Sequence, residues 1–166
     1  MEDQALNELI IEKVWQLFPT EDFEEVMEIL DDYGSETWHA AKEWVQLAAL
    51  KMSNGKLERL RNSMSIARSD FRDLLLVAQE PNQFRMQMAS KSQPTKGEEE
   101  FAQQRDKEQF EAWLKGNSAK VCEACSGVGI VPEGKCMADA TSPSGLRLPE
   151  WVKCFFCDGT GNQISR

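Results

Sequence analysis

The chain has no run of about 18 apolar residues, so its sequence predicts no membrane-spanning helix. It opens Met1-Glu2-Asp3, acidic and without the apolar core of a secretory signal, which predicts a cytoplasmic protein. No phosphate-binding G-x-x-x-x-G-K-[ST] occurs, no G-x-G-x-x-G stands between a strand and a helix, and no G-x-S-x-G is present. The common nucleotide-binding and serine-hydrolase sites are therefore absent from the expectation. Histidine occurs once, as His39, with no cysteine near it in sequence. It reads as a surface or boundary residue rather than a ligand. Basic residues are scarce at the front: residues 2–36 hold 12 acids and only Lys13 as a base.

The net charge of −9 is uneven. Residues 1–81 carry 17 acidic and 8 basic side chains, whereas residues 82–166 carry 11 of each. This balance argues against nucleic acid, which is bound through a basic surface. It suits a basic protein partner or, more simply, solubility.

What is present is mostly helical periodicity. Leu6, Leu9, Ile10, Val14, Leu17 and Phe18 make one apolar stripe, and Pro19 stops it. Thr20 is the expected cap of a second helix, with acids in its first turn, where the helix dipole favours them. Phe23, Val26, Met27, Leu30 and Tyr33 form its apolar face, and Gly34 its C-terminal cap. Ser35 caps an expected third helix over 36–52, with Trp38, Ala41, Val45, Ala48 and Met52 on its seam. A fourth helix over 56–79 carries Leu57, Leu60, Met64, Ala67, Phe71, Leu74 and Ala78 in unbroken steps of three and four. The Ser53-Asn54-Gly55 turn makes the last two an antiparallel hairpin. The same seam leaves a homodimer open as an alternative.

The expected organisation is therefore mainly α. An acidic helical domain over 1–81 has four helices. A flexible linker follows over 82–97, then a connecting helix over 98–116 with Phe101, Phe110, Trp113 and Leu114 as its apolar residues. A small β-hairpin module occupies 117–166. Short strands are expected around Val121, Val128, Ile130 and Val131, and around Trp151, Val152 and Ile164. A polar loop over 132–149 separates them.

That last module carries the chemistry. Residues 122–129 and 154–161 both read C-x-x-C-x-G-x-G. Zn²⁺ takes four ligands in a tetrahedron, and thiolates suit it well. Cys122, Cys125, Cys154 and Cys157 are the expected ligands of one structural zinc. The glycines of the octets allow the backbone to turn close to the metal. An all-cysteine site has no open position and so does no catalysis. It supplies folding energy to a module too small to hold itself by a core alone. Cys136 is left over as a spectator thiol. Thiol–disulfide exchange is the rival reading of a C-x-x-C pair. It ranks last, because the glycine-rich frame is that of a zinc knuckle and no βαβ pattern surrounds it.

The two octets resemble repeats of the cysteine-rich zinc domain of DnaJ-type (Hsp40) chaperones. That domain has four such repeats and two zincs, so the resemblance implies half a domain, with one zinc and the 132–149 loop in place of the other half. It covers about a quarter of the chain. These chaperones recruit Hsp70 with a His-Pro-Asp turn. Here Ala40 and Ala41 follow the only histidine, so that role is not implied. Stand-alone modules of this kind bind another protein, and the resemblance implies the same here. The expected function is a non-enzymatic zinc-binding adaptor or regulator. It would meet its protein partner through the zinc hairpin, with Phe155 and Phe156 as candidate contacts, through the acidic helical face, or through both. A chaperone-like holdase for unfolded chains is the first alternative, and a thiol/disulfide oxidoreductase the second.

Overall fold

The computed structural model describes residues 2–36, 39–89, 94–116, 130–132 and 151–155. The protein is mainly helical. The described residues form α1 (Glu2–Leu17), a 3-10 turn (Thr20–Asp22), α2 (Phe23–Asp31), α3 (Lys42–Ser53), α4 (Leu57–Gln79), α5 (Pro81–Ala89) and α6 (Lys96–Leu114). Two short strands follow, β1 (Ile130–Pro132) and β2 (Trp151–Lys153). Among the described residues no helix is long and apolar enough to cross a membrane.

The core forms around α3. Val45, Leu47, Ala48, Ala49 and Leu50 all have no exposed surface. A helix buried all round, as α3 is from Val45 onward, belongs at the centre of a bundle. Its three buried polar residues are satisfied there: the Gln46 amide donates to the Leu30 carbonyl at 2.9 Å, the Lys51 ammonium to the Ala78 carbonyl, and the Ser53 hydroxyl to the Leu50 carbonyl at 2.7 Å. α4 packs along α3, and α1 lies on another side. The stripe of α1 buries Ile10, Val14 and Phe18, and α2 adds Val26 and Leu30. Each large apolar side chain buried here contributes roughly 1.5–3 kcal/mol.

The helices differ from the expected ones in instructive ways. α3 starts at Lys42, not 36, after Ala41 in a left-handed conformation at φ 51°. The chain before it is held in a turn instead. The Tyr33 ring stacks on His39 at 4.2 Å, Gly34 N–H donates to His39 Nδ1 at 2.8 Å, and the Tyr33 hydroxyl donates to the Ala40 carbonyl at 3.1 Å. The Ser35 hydroxyl, expected as a cap, donates back to the Asp32 carbonyl. Trp38 lies outside the described residues. No side-chain cap from Thr20 forms either; the chain makes the 3-10 turn and then α2.

The seam of α4 is real, with Leu60, Met64, Ala67, Leu74 and Ala78 buried. The backbone under it is not continuous. Asp70 is extended, at φ −154° and ψ 104°. Its carboxylate accepts the Arg72 backbone N–H at 3.0 Å and the Arg72 guanidinium at 2.9 and 2.7 Å. Asp70 thus caps a second helical segment, as short carboxylates do at helix starts. Those hydrogen bonds from Arg72 also hold its carboxyl below the usual carboxylate range.

The expected linker is helical in its first part. α5 occupies Pro81–Ala89, and α6 begins two residues before the expected Glu98. Thr95 and Glu98 form a capping box there, with Thr95 N–H to the Glu98 carboxylate at 2.8 Å. The buried face of α6 is Ala102, Asp106, Phe110 and Trp113, while Phe101, one of its expected apolar residues, is exposed. Phe110 and Trp113 belong to the same core as α1 to α4.

Candidate metal centre and its hairpin

β1 and β2 pair antiparallel, with Ile130 opposite Lys153, Val131 opposite Val152 and Pro132 opposite Trp151. Both strands were expected from the β-branched and aromatic residues near 130 and 151. The register bears on the cysteines. Ile130 directly follows the first C-x-x-C-x-G-x-G octet, and Lys153 directly precedes the second. The ladder therefore sets the exit of one octet beside the entry of the other.

Two of the six candidate site residues fall among the described residues. Cys154 follows β2 and is 1% exposed; Phe155 comes next and is 80% exposed. Ile130, on the partner strand, is buried. Cys122, Cys125, Cys157 and Phe156 lie outside the described residues, as do Cys136, the first expected strand positions Val121 and Val128, and Ile164. Among the described residues no three metal-ligating side chains stand together, and Cys154 is the one expected ligand among them. What is described of Cys154 fits a zinc thiolate. A buried sulfur at the end of a paired strand is where a metal staple would hold the hairpin closed.

The hairpin stands on the helical body through α5, which lies against β2. α5 is in turn fixed by α6. The Asp106 carboxylate, 2% exposed, accepts the backbone N–H groups of Asn82 at 2.8 Å and Gln83 at 3.0 Å. It also accepts the side-chain amides of Asn82 at 2.7 Å and Gln83 at 3.3 Å. A carboxylate from another helix thus caps α5 where the helix dipole is positive.

Behind Asp106 lies Lys51. Its ammonium sits 5.1 Å from the centre of the Phe110 ring and donates to the Ala78 carbonyl near the C-terminus of α4. Burial pushes Lys51 down to about 8, and the Asp106 charge opposes that shift. Trp113, one turn on from Phe110, lies 5.2 Å over the Lys13 ammonium of α1. Trp113 is therefore committed to the helical core. A cleft of about 600 Å³ lies beside this cluster, with Trp44, Gln83, Asp106 and Phe110 among its walls. Asp106 and Gln83 there are already joined in the α5 cap, and Glu80, Lys107 and Glu111 are the other titratable groups on its walls.

Periodicity could not find the Lys51–Asp106 cluster, because a lysine and an aspartate on helices read as solvated positions. Asp106 does fall four residues after Ala102 and four before Phe110, on the buried face. That spacing was the available signal.

Compared with known proteins, the chain matches no family model, no curated protein and no solved structure.

Proposed function

We propose that this chain is a non-enzymatic adaptor or regulator whose C-terminal hairpin, stapled by one structural zinc, presents an aromatic contact to a protein partner. Cys122, Cys125, Cys154 and Cys157 would hold the metal. A closed four-thiolate zinc supplies folding energy and leaves no position for substrate. One observation carries the reading: Cys154 is buried while its neighbour Phe155 is 80% exposed. A phenylalanine turned out beside an inward cysteine places an aromatic side chain, a type enriched at protein interfaces, at a fixed point on the hairpin. Val152 of β2, three residues before Phe155, is also exposed. Burial of Cys154 speaks against the oxidoreductase reading, since an exchanging thiol must reach its disulfide.

The test is a Phe155→Ser variant. It is expected to keep its zinc and its helical content, and to lose a partner that co-purifies with the wild type as one stoichiometric species. Suppressed aggregation of many unrelated denatured proteins, abolished by the same change, would instead favour the holdase.

A further inference from the structure

The helical body carries a second surface of a different kind. Trp15 of α1 is 50% exposed and its ring stacks on Phe23 of α2, with centroids 4.4 Å apart and planes 17° from parallel. Ile11, one turn before Trp15, is also exposed. Together they make an apolar shelf at the α1–α2 junction. The other apolar residues of these helices turn inward, so the shelf is not spare core.

Among the described residues of α1 and α2 its electrical surroundings are one-sided. Glu8 and Glu12 stand one turn before Ile11 and Trp15, and Glu21 and Glu24 flank Phe23 in the chain; all four are exposed. The only base of residues 2–36 is Lys13. It is 2% exposed, donates to Gln16 at 2.9 Å and lies under Trp113. It therefore offers nothing to the outer face. The cations of α3 and α4 that reach α2 pair elsewhere: Arg61 with Glu25, Arg68 with Asp32 and Lys42 with Asp31. An apolar shelf framed by carboxylates is complementary to a partner with an apolar stripe and a basic flank.

We propose that the Ile11–Trp15–Phe23 shelf docks a basic amphipathic helix of a partner protein. This rests on the adaptor reading and adds a second contact with its own chemistry. Apolar side chains of the docked helix, one turn apart, seat on Trp15 and Ile11, whose spacing is also one turn. Lysines or arginines beside that stripe meet Glu8, Glu12 and Glu24. The aromatic contact sets how long the complex lasts, and the charges set how fast it forms and how strongly salt weakens it.

The experiment uses the full zinc-loaded chain and two synthetic helical peptides, each with leucines on one face and either lysines or glutamates on the other. Binding is followed by calorimetry and by backbone amide NMR shifts. The leucine–lysine peptide is expected to bind, with shifts centred on α1 and α2, and the leucine–glutamate peptide not to. Trp15→Ala, which leaves every charge in place, is expected to weaken binding about tenfold. Glu8→Lys with Glu12→Lys, at exposed positions that do not threaten the fold, gives a comparable loss that shrinks at high salt. Trp15→Ala binding as tightly as the wild type would overturn the proposal, since only diffuse charge would then be at work. So would shifts centred on β2, or a wild-type dimer that Trp15→Ala dissociates, because the shelf would then belong to a second copy. Phe155→Ser leaves this binding unchanged, so failure here and failure of the hairpin contact are separate results.

Discussion

Asp106 of α6 takes both the backbone and the side-chain amide of Asn82, 24 residues earlier in the chain, onto one carboxylate oxygen, at 2.8 and 2.7 Å. A helix start is thus capped by a residue from another helix. The contact ties α5, and with it the β2 strand that lies against α5, to the main core.

Asp106→Ala should therefore loosen more than one position. It leaves the first amides of α5 without their acceptor and Lys51 without the negative charge that favours its protonated form. The expected loss is about 2–3 kcal/mol of stability. Faster hydrogen exchange at Asn82 and Gln83 than in α3 is the sign to look for. Asp106→Asn, which keeps an acceptor of the same size, should lose less.

Lys51 makes stability depend on pH in a defined direction. Its folded value is lowered to about 8 from the ordinary 10.5. Between those two values the unfolded chain binds the proton and the folded chain does not, so stability rises with pH through that window. The full effect is about 3 kcal/mol. Urea unfolding at several pH values should give a wild type that gains on Lys51→Met as pH rises from about 8 to 10.5. Parallel curves for the two proteins would show that the lysine is not desolvated.

Gly55 is required by its place. Its φ is 78°, and a Cβ there would stand 2.4 Å from the Leu17 carbonyl oxygen, a backbone atom that cannot swing away. Gly55→Ala should cost about 2 kcal/mol or more. Gly97 is the internal control. It lies in the first turn of α6 with no atom within 4 Å of its would-be Cβ. Gly97→Ala should stabilise the protein by about 0.4–1 kcal/mol, and thermal melts of the two variants should move in opposite directions.

Local signals carried much of this fold. The α1 stripe, the α4 seam and the stops at Gly34, Gly55 and Gly116 follow from spacing and backbone freedom, and all three glycines have positive φ. Long-range events did not announce themselves. α5 reads as linker because its cap comes from Asp106. α3 reads as amphipathic because only the finished bundle reveals that every side is covered from Val45 to Ser53. The delayed start of α3 depends on Tyr33 meeting His39. The Thr95-x-x-Glu98 pattern of a capping box stands in the sequence and sets the start of α6 two residues ahead of the expected 98–116 helix. At the candidate site, the C-x-x-C octets are plain in the sequence, but the Ile130–Lys153 pairing that brings their flanks together needed the structure.

Metal content decides whether a zinc staples the hairpin. Protein purified with reductant and without chelator is expected to hold one zinc per chain. Cys154→Ser is expected to lose that zinc and the β1–β2 pairing while α1 to α4 keep their helical signal. A wild-type chain with no zinc and an intact hairpin would overturn the zinc assignment.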